Sequence, residues 1–435
     1  MSFEEKNLRP NSLRPMGDPL PYPDRHAVSV SLPTWRDVVD YEEGNRRVHD
    51  AMKSGYPRFR LHQSVNELCT RYKDPASGET PWVFPSRRVA EACVRYVGAG
   101  RIQNTADGLA LVYVPHNQNA KAKQFWQHTG LLVSSRRAED ILNGKPPASP
   151  ASLEPLKRLV AAPYGANAED VYLFPTGIAA LFKAHQAVIC ARGVKTLQVG
   201  FPYLDALKIQ QKFGEGIYCP YNKPEDLDAV ERLVKQGHAA AVFCEVPGNP
   251  LLRTIDLQRL SSFLKKHNVP LIIDDTLGTP YDIDIRPYAD VIITSLTKFF
   301  SGKGNVAGGS LILNPQSPHY HKLKTQLDRG EELLYGADAD ILLENGRGFA
   351  ARMQVINSNA EKLADYLRAH PAIDQVFYPK GDAAYEALRR PGGGYGGLLS
   401  FTLKDKSATP LVYNRLPFAK GPSLGTEFTL FPPIP

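Results

Sequence analysis

Cysteine is sparse in this chain. Cys69, Cys93, Cys190, Cys219 and Cys244 are scattered through 435 residues, and no two form a C-x-x-C pair. An odd, dispersed set argues against a disulfide framework or a zinc site and fits a reducing compartment. Long apolar runs are lacking too. No 18-residue apolar stretch occurs, and the opening segment MSFEEKNLRPNSLRPMGDPLPYPDRH is polar and Pro-rich, without the apolar core of a secretory signal. The expectation is a cytoplasmic protein with no membrane partner. Basic tracts interleaved with aromatics are missing as well. The formal charge of +7 is spread out, with short clusters such as Ser135–Arg137 separated by acids, so no nucleic-acid partner is expected. There is no internal repeat and no heptad pattern.

What is present is an α/β pattern in a chain long enough for more than one domain. Residues 1–70 read as an N-terminal arm, flexible over its first 30 or so residues, then a helix in DVVDYEEGNRRVHDAMK running into the loop SGYPRF. Residues 71–150 read as an inserted subdomain with a strand in GLALVYV, a helix in AKAKQFWQHTG and a Pro/Ser linker at its end. Residues 151–325 form the regular part. A short helix capped by Ser152 precedes VYLF-PTG-IAALFKAHQAVI, which reads as strand, glycine turn and helix. AAAVFCEV, VPLIIDD and DVIITS are apolar runs expected as strands buried on both faces, and TIDLQRLSSFLKKHN is an amphipathic helix with Thr254 as its expected cap. Strands alternating with helices predict a mostly parallel central sheet with helices on both faces. Residues 326–435, with a long helix and two strands in VFYP and GLLSFTLK, predict a smaller α+β C-terminal domain.

In such sheets ligands bind where strands end. Here the strand ends deliver Asn249 after EVPG, Asp274 after LII, and Ser295, Thr297 and Lys298 after VIIT, while Thr176, Gly177 and Ile178 open a helix. A lone lysine is ordinarily a solvated surface group. Lys298, three residues past a buried strand and beside two phenylalanines, calls for another reading. A lysine, a carboxylate, an amide, hydroxyls and an anion-binding turn on one rim are the set that pyridoxal phosphate needs: an amine for a Schiff base, an acid for the pyridine nitrogen, a phosphate cradle. A metal at Asp274 and Asp275 lacks further converging ligands. GGGYGG, Gly392 to Gly397, precedes a strand and opens no helix, so it is no dinucleotide loop. The HYH of His319 to His321 reads as surface.

IIDDTLGTP, followed 24 residues after Asp274 by the lysine of SLTK, resembles the D-x-T…P…S-x-T-K…GG pattern of the cysteine/methionine-metabolism family of pyridoxal-phosphate enzymes. That family includes cystathionine γ-synthases, cystathionine lyases and O-acetylhomoserine sulfhydrylases. The long N-terminal extension and the phrases GYPRF and SLTK-F-SG…NV-GG resemble those of fungal cystathionine γ-synthases, over about Gly55 to Leu430. The resemblance implies the fold of type I pyridoxal-phosphate transferases, with Lys298 in Schiff-base linkage to the cofactor and Asp274 at the pyridine nitrogen. It implies that Gly177, Ile178, Ser295 and Thr297 hold the phosphate, that Tyr203 stacks on the ring and assists proton transfer, and that Asn249 lies near the ring hydroxyl. Tyr56 and Arg58 match a pair that reaches the phosphate of the neighbouring subunit, which implies a homodimer with shared sites, usually paired into a tetramer. Ser423 matches a serine near the substrate carboxylate.

The activity implied is γ-substitution on an O-acyl-L-homoserine, with cysteine as acceptor giving cystathionine. A tailoring enzyme of fungal secondary metabolism adding a carbon or other nucleophile to the same vinylglycine-type intermediate, a cystathionine lyase and a non-catalytic cofactor-binding scaffold are the alternatives. Two departures from the family stand out: a longer insertion between Arg58 and Gly177, and an end at TLFPPIP that leaves no residue for the family's carboxylate-clamping arginine and makes the small domain look truncated.

Overall fold

The computed structural model describes residues 14–77, 79–331 and 333–432. Its centre is a seven-stranded sheet flanked by helices. In chain order the elements that position the site are β1 (Trp82–Phe84), β2 (Arg101–Asn104), β3 (Ala110–Tyr113) and α1 (Asn119–Thr129), then β4 (Val171–Phe174), α2 (Gly177–Arg192), β5 (Lys195–Val199) and α3 (Leu204–Phe213). These are followed by β6 (Glu215–Cys219), β7 (Ala241–Glu245), α4 (Leu257–Lys266), β8 (Leu271–Asp274), β9 (Val291–Thr294) and β10 (Gly309–Leu313). The C-terminal part adds α5 (Phe349–Ala369), β11 (Ile373–Phe377) and β12 (Ser400–Leu403).

The sheet order is β4-β10-β9-β8-β7-β5-β6. All neighbours are parallel except β10, which runs antiparallel to both β9 and β4. The expected mostly parallel sheet is therefore present, with one reversed strand. Its strands are continuous apolar runs because helices cover both faces; Ile272, Ile273, Val291 and Ile293 are all essentially sealed from water. Asp274 pairs in register with Glu245 on one side and Ile293 on the other, so one edge of the sheet lines up several polar strand ends.

The segment read as an inserted subdomain is a three-stranded antiparallel sheet, order β1-β3-β2, with helices around it. It does not stand alone. Phe84, Val112, Phe125 and Trp126 share one apolar cluster with Ala179 and Phe182 of α2, so its burial is also burial for the main domain.

Four local expectations are corrected. Residues 1–13 lie outside the described residues, but from Arg14 onward the arm is packed. Pro19–Leu20 pairs with Ser29–Val30, Leu20 clusters with Ala419 and Phe428, and Tyr413 donates to the Leu32 carbonyl at 2.8 Å. The partners that order it are some 400 residues away in sequence, which local composition does not register. Thr254 does not cap α4; Asp256 does, accepting the Arg259 N–H at 2.9 Å. Ser152 precedes its helix without a side-chain cap and donates to Asp340 at 2.5 Å. His319, read as surface, is buried with Nδ1 at 3.3 Å from Arg192, while His321 is exposed.

Candidate active site

One cavity of about 1200 Å³ opens along the ends of β7, β8 and β9. Among its lining residues are Tyr56, Gly177, Ile178, Tyr203, Glu245, Asn249, Asp274, Ser295, Lys298 and Ser423. Nine of the eleven residues to which the resemblance gives roles thus face one space; Arg58 and Thr297 stand behind it.

Lys298 sits in the turn after β9. Its Nζ donates to Ser423 Oγ at 3.1 Å and lies 4.8 Å from the centre of the Tyr56 ring. The amine touches the cavity but is otherwise enclosed by protein; that desolvation, with repulsion from Arg58, lowers its pKa to about 7. Gly425 makes the approach of the Ser423 segment possible. It has φ +81°, and a Cβ there would fall 2.8 Å from Lys298 Cβ and from the Phe299 nitrogen.

Asp274 ends β8. Its Oδ1 accepts the Thr276 N–H at 2.9 Å. The Thr276 hydroxyl in turn accepts the Ser295 N–H at 2.8 Å, tying the two strand ends together. Burial pushes the Asp274 carboxyl up and Thr276 pulls it back. Its neighbour Glu245 is pushed well above the carboxylate range by burial and by the Asp274 charge, although it accepts the Tyr203 N–H at 2.7 Å. Burial thus raises both acids.

The anion-binding turn is equally specific. Thr176 caps α2 by accepting the Ala179 N–H at 3.1 Å, leaving the first helical N–H groups and the positive dipole end facing the cavity. Gly177 packs on Ser295 so closely that a Cβ would lie 2.7 Å from Ser295 Cβ. Ser295 Oγ is buried with no hydrogen-bond partner. Thr297, expected to add a second hydroxyl, is turned away: it donates to the Gly308 carbonyl at 3.2 Å and accepts the Gly308 N–H at 3.1 Å.

The resemblance assigns Tyr56 and Arg58 to a neighbouring subunit's site; within the described chain Tyr56 lines this cavity and Arg58 stands behind it. The segment folds back because Ser54 donates to the Ala27 carbonyl at 2.5 Å and Tyr56–Phe59 form a turn. Asp205 then captures Arg58 at 2.5 Å. Arg58 is fully buried and also donates to the Tyr203 hydroxyl. Its Nε and Nη1 are buried without partners.

A desolvated amine, a strand-end acid and an anion-binding helix start on one rim define a site for a phosphate-bearing aldehyde cofactor. Ser295 Oγ and the two free Arg58 nitrogens are orphaned donors of the kind a phosphate would satisfy, so the residues fit pyridoxal phosphate. Comparison with known proteins carries this further. A family model described as Cys/Met metabolism PLP-dependent enzyme matches residues 166–431, and one described as fungal trans-sulfuration enzyme, N-terminal domain, matches residues 63–134. The chain belongs to the Cys/Met metabolism PLP-dependent enzyme family and uses pyridoxal 5′-phosphate. A cystathionine gamma-synthase of Neurospora crassa is 31% identical, covering 96% of this chain and 91% of its own. An L-2-amino-4-chloropent-4-enoate dechlorinase/desaturase of Streptantibioticus cattleyicolor is 32% identical, covering 96% and 88%. Among solved structures, cystathionine gamma synthase from Xanthomonas oryzae shares the fold with a TM-score of 0.53 at 24% identity, over 60% of this chain and 68% of that one. The protein is thus an enzyme of the cystathionine γ-synthase and lyase type.

Sequence reasoning missed Glu245, His128 and Asp205. The first was visible as the residue opening EVPGNP at a strand end; the other two meet only through the fold.

Proposed function

We propose that this chain catalyses γ-substitution on an O-acyl-L-homoserine, with cysteine as the acceptor and cystathionine as the product. The observation that carries it is the Lys298 amine, desolvated and held by Ser423 in the cavity that Asp274 and the Gly177 turn share. The name of the Neurospora relative supports the choice of substrates. When bound, pyridoxal phosphate supplies a ring that draws electrons from the amino-acid carbons.

The chain's residues do the rest. Asp274 holds positive charge at the ring nitrogen. Ser295 and the first N–H groups of α2 anchor the phosphate, joined by Arg58 from the segment that also places Tyr56. With its pKa near 7, Lys298 exists as free amine and as ammonium in comparable amounts at neutral pH, so it can take a proton from one carbon and return one to the next. Ser423 fixes the direction of Nζ. Asn249 and Tyr203 orient the ring from the β7 and β5 sides. Exposed Phe201 and Leu204, beside Tyr203, are surface that a homodimer, paired into a tetramer, would cover; size-exclusion chromatography with light scattering tests this.

A second reading is favoured by the size of the cavity and by its apolar lining from the C-terminal part, which includes Leu363, Leu367, Leu399, Phe401 and Val412. On that reading the acceptor is a carbon nucleophile with an apolar body. Incubation with O-acetylhomoserine plus cysteine, or plus a β-keto acid, with mass analysis of products, tests both. Cystathionine supports the first reading. A carbon adduct alone replaces it with the second, 2-oxobutanoate from cystathionine indicates a lyase, and bound cofactor without turnover indicates a scaffold.

A further inference from the structure

The family machinery leaves one arrangement unexplained. Helix α1 belongs to the inserted domain, yet its C-terminal end touches the site in two places. His128, buried at 5 % exposure, has Nδ1 at 3.4 Å from Asp205 Oδ1, ion-pair distance without hydrogen-bond alignment. Asp205 is the second residue of α3 and holds Arg58 through its other oxygen at 2.5 Å, and Arg58 donates to the hydroxyl of Tyr203. Two residues beyond His128, the Gly130 carbonyl accepts the Thr176 hydroxyl at 3.0 Å. Thr176 is the residue that caps α2 at the phosphate turn. Gly130 has φ +62°, and a Cβ there would fall 2.3 Å from Thr176 Oγ1 and 3.0 Å from the Ala179 nitrogen, so only glycine lets the two helix ends meet.

We propose that His128 and Gly130 are positioning residues: the end of α1 sets the Asp205–Arg58–Tyr203 chain and the cap of the phosphate turn together, making the inserted domain part of the active-site support. The inference rests on the reading that Tyr203 and Arg58 meet the cofactor. Its physical basis is that a buried guanidinium can be aimed at a tyrosine hydroxyl only if its countercharge is fixed. Burial would push Asp205 up, but His128, Arg58 and Lys208 outweigh it and keep the carboxyl ionised. The charged and titratable groups around Arg58 are Tyr56, Tyr203, Asp205 and Lys298, and those around Asp205 are His128 and Lys208. His128 is the one among them that comes from the inserted domain.

The test uses the holoenzyme. His128→Ala is expected to lower kcat about tenfold, in the range seen when outer partners of site ligands are removed, with KM changed less than about twofold. It is expected to move the pH midpoint of the bound cofactor's visible absorbance by roughly half a unit as Arg58 loses its fixed partner. His128→Asn, whose amide can donate towards Asp205, should recover most of both. Gly130→Ala should raise the dissociation constant for pyridoxal phosphate about tenfold through the displaced Thr176 cap. Val65→Ala, in the apolar cluster that packs the end of the arm against the inserted domain, should lower the melting temperature and move neither midpoint nor affinity. If His128→Ala behaves like Val65→Ala, the proposal is overturned. Should His128→Ala fail to fold, Asp205→Asn must shift the absorbance midpoint or the proposal falls. Tyr203→Phe separates the layers: if it too is silent in spectrum and kcat, the underlying reading of the site fails, and if it is active in both while His128→Ala is silent, only the support from α1 fails.

Discussion

On one side of the cavity, Asp274, Ser295 and Lys298 stand at or just past the ends of parallel strands sealed from water, with Asp274 joined through Thr276 to Ser295 and Lys298 bonded to Ser423. On the other, Leu363, Leu399, Phe401 and Val412 come from α5, β12 and the stretch beyond, where β11 and β12 form a two-stranded sheet that is only partly buried. The first side fixes atoms to fractions of an ångström because strand register leaves no slack. The second offers apolar area with few directional bonds, which sets preference for size and polarity rather than geometry. On the proposed function, the chemistry belongs to the rigid side and the choice of acceptor to the adaptable one.

Variants on the two sides should therefore differ in kind as well as in size. Lys298→Ala is expected to cost about 10³-fold in kcat and to abolish borohydride fixation of the cofactor to the chain, checked by peptide mass mapping. Asp274→Asn, nearly isosteric, should cost about 10²-fold in kcat with KM within a few-fold, because it removes charge where charge develops and little else; steady-state kinetics decides. Lys298→Met should stabilise the cofactor-free chain at pH 7. The native amine has its pKa lowered to about 7 from 10.5, so between those values the unfolded chain binds more protons and stability rises with pH. The gain from removing the amine is on the order of a few kcal/mol at pH 7 and shrinks towards pH 10, read from urea melts at both. Gly177→Ala must displace Ser295 backbone or side chain and should cost roughly 1–3 kcal/mol together with weaker cofactor retention, seen by calorimetry and dialysis. Phe401→Ala, on the adaptable side, should change the preference between small and bulky acceptors by about tenfold and leave cofactor retention alone. A loss of cofactor in that last variant would erase the distinction between the two sides.

The rigid side was also the part legible in the sequence. LIID and VIIT announce strands because burial on both faces demands unbroken apolar runs, and their ends name Asp274, Ser295 and Lys298 directly. The reversal of β10 was not legible, since an apolar run carries no direction. Nor was the packing of residues 14–32, whose contacts are with residues 413–428. Thr254 and Asp256 are both good caps; only the backbone chooses Asp256. Thr297 is one residue from Lys298 but faces Gly308, a distinction set by the turn after β9. The Tyr56–Arg58 pair was legible as a motif, but a motif tells what a segment contacts and not which copy supplies it.

Around Lys298 the chain closes on itself. Val28 donates to Gly304 and Glu427 to Gly302, both in the loop just after the lysine, while Leu20 packs on Ala419 and Phe428. Early and late stretches of the polypeptide are thus laced through the loop that holds the amine. Slackening that lacing by mild heat or a bulky tag at the front should bleach the yellow of the bound vitamin before the main sheet melts, so colour serves as an early gauge of wear in the preparation.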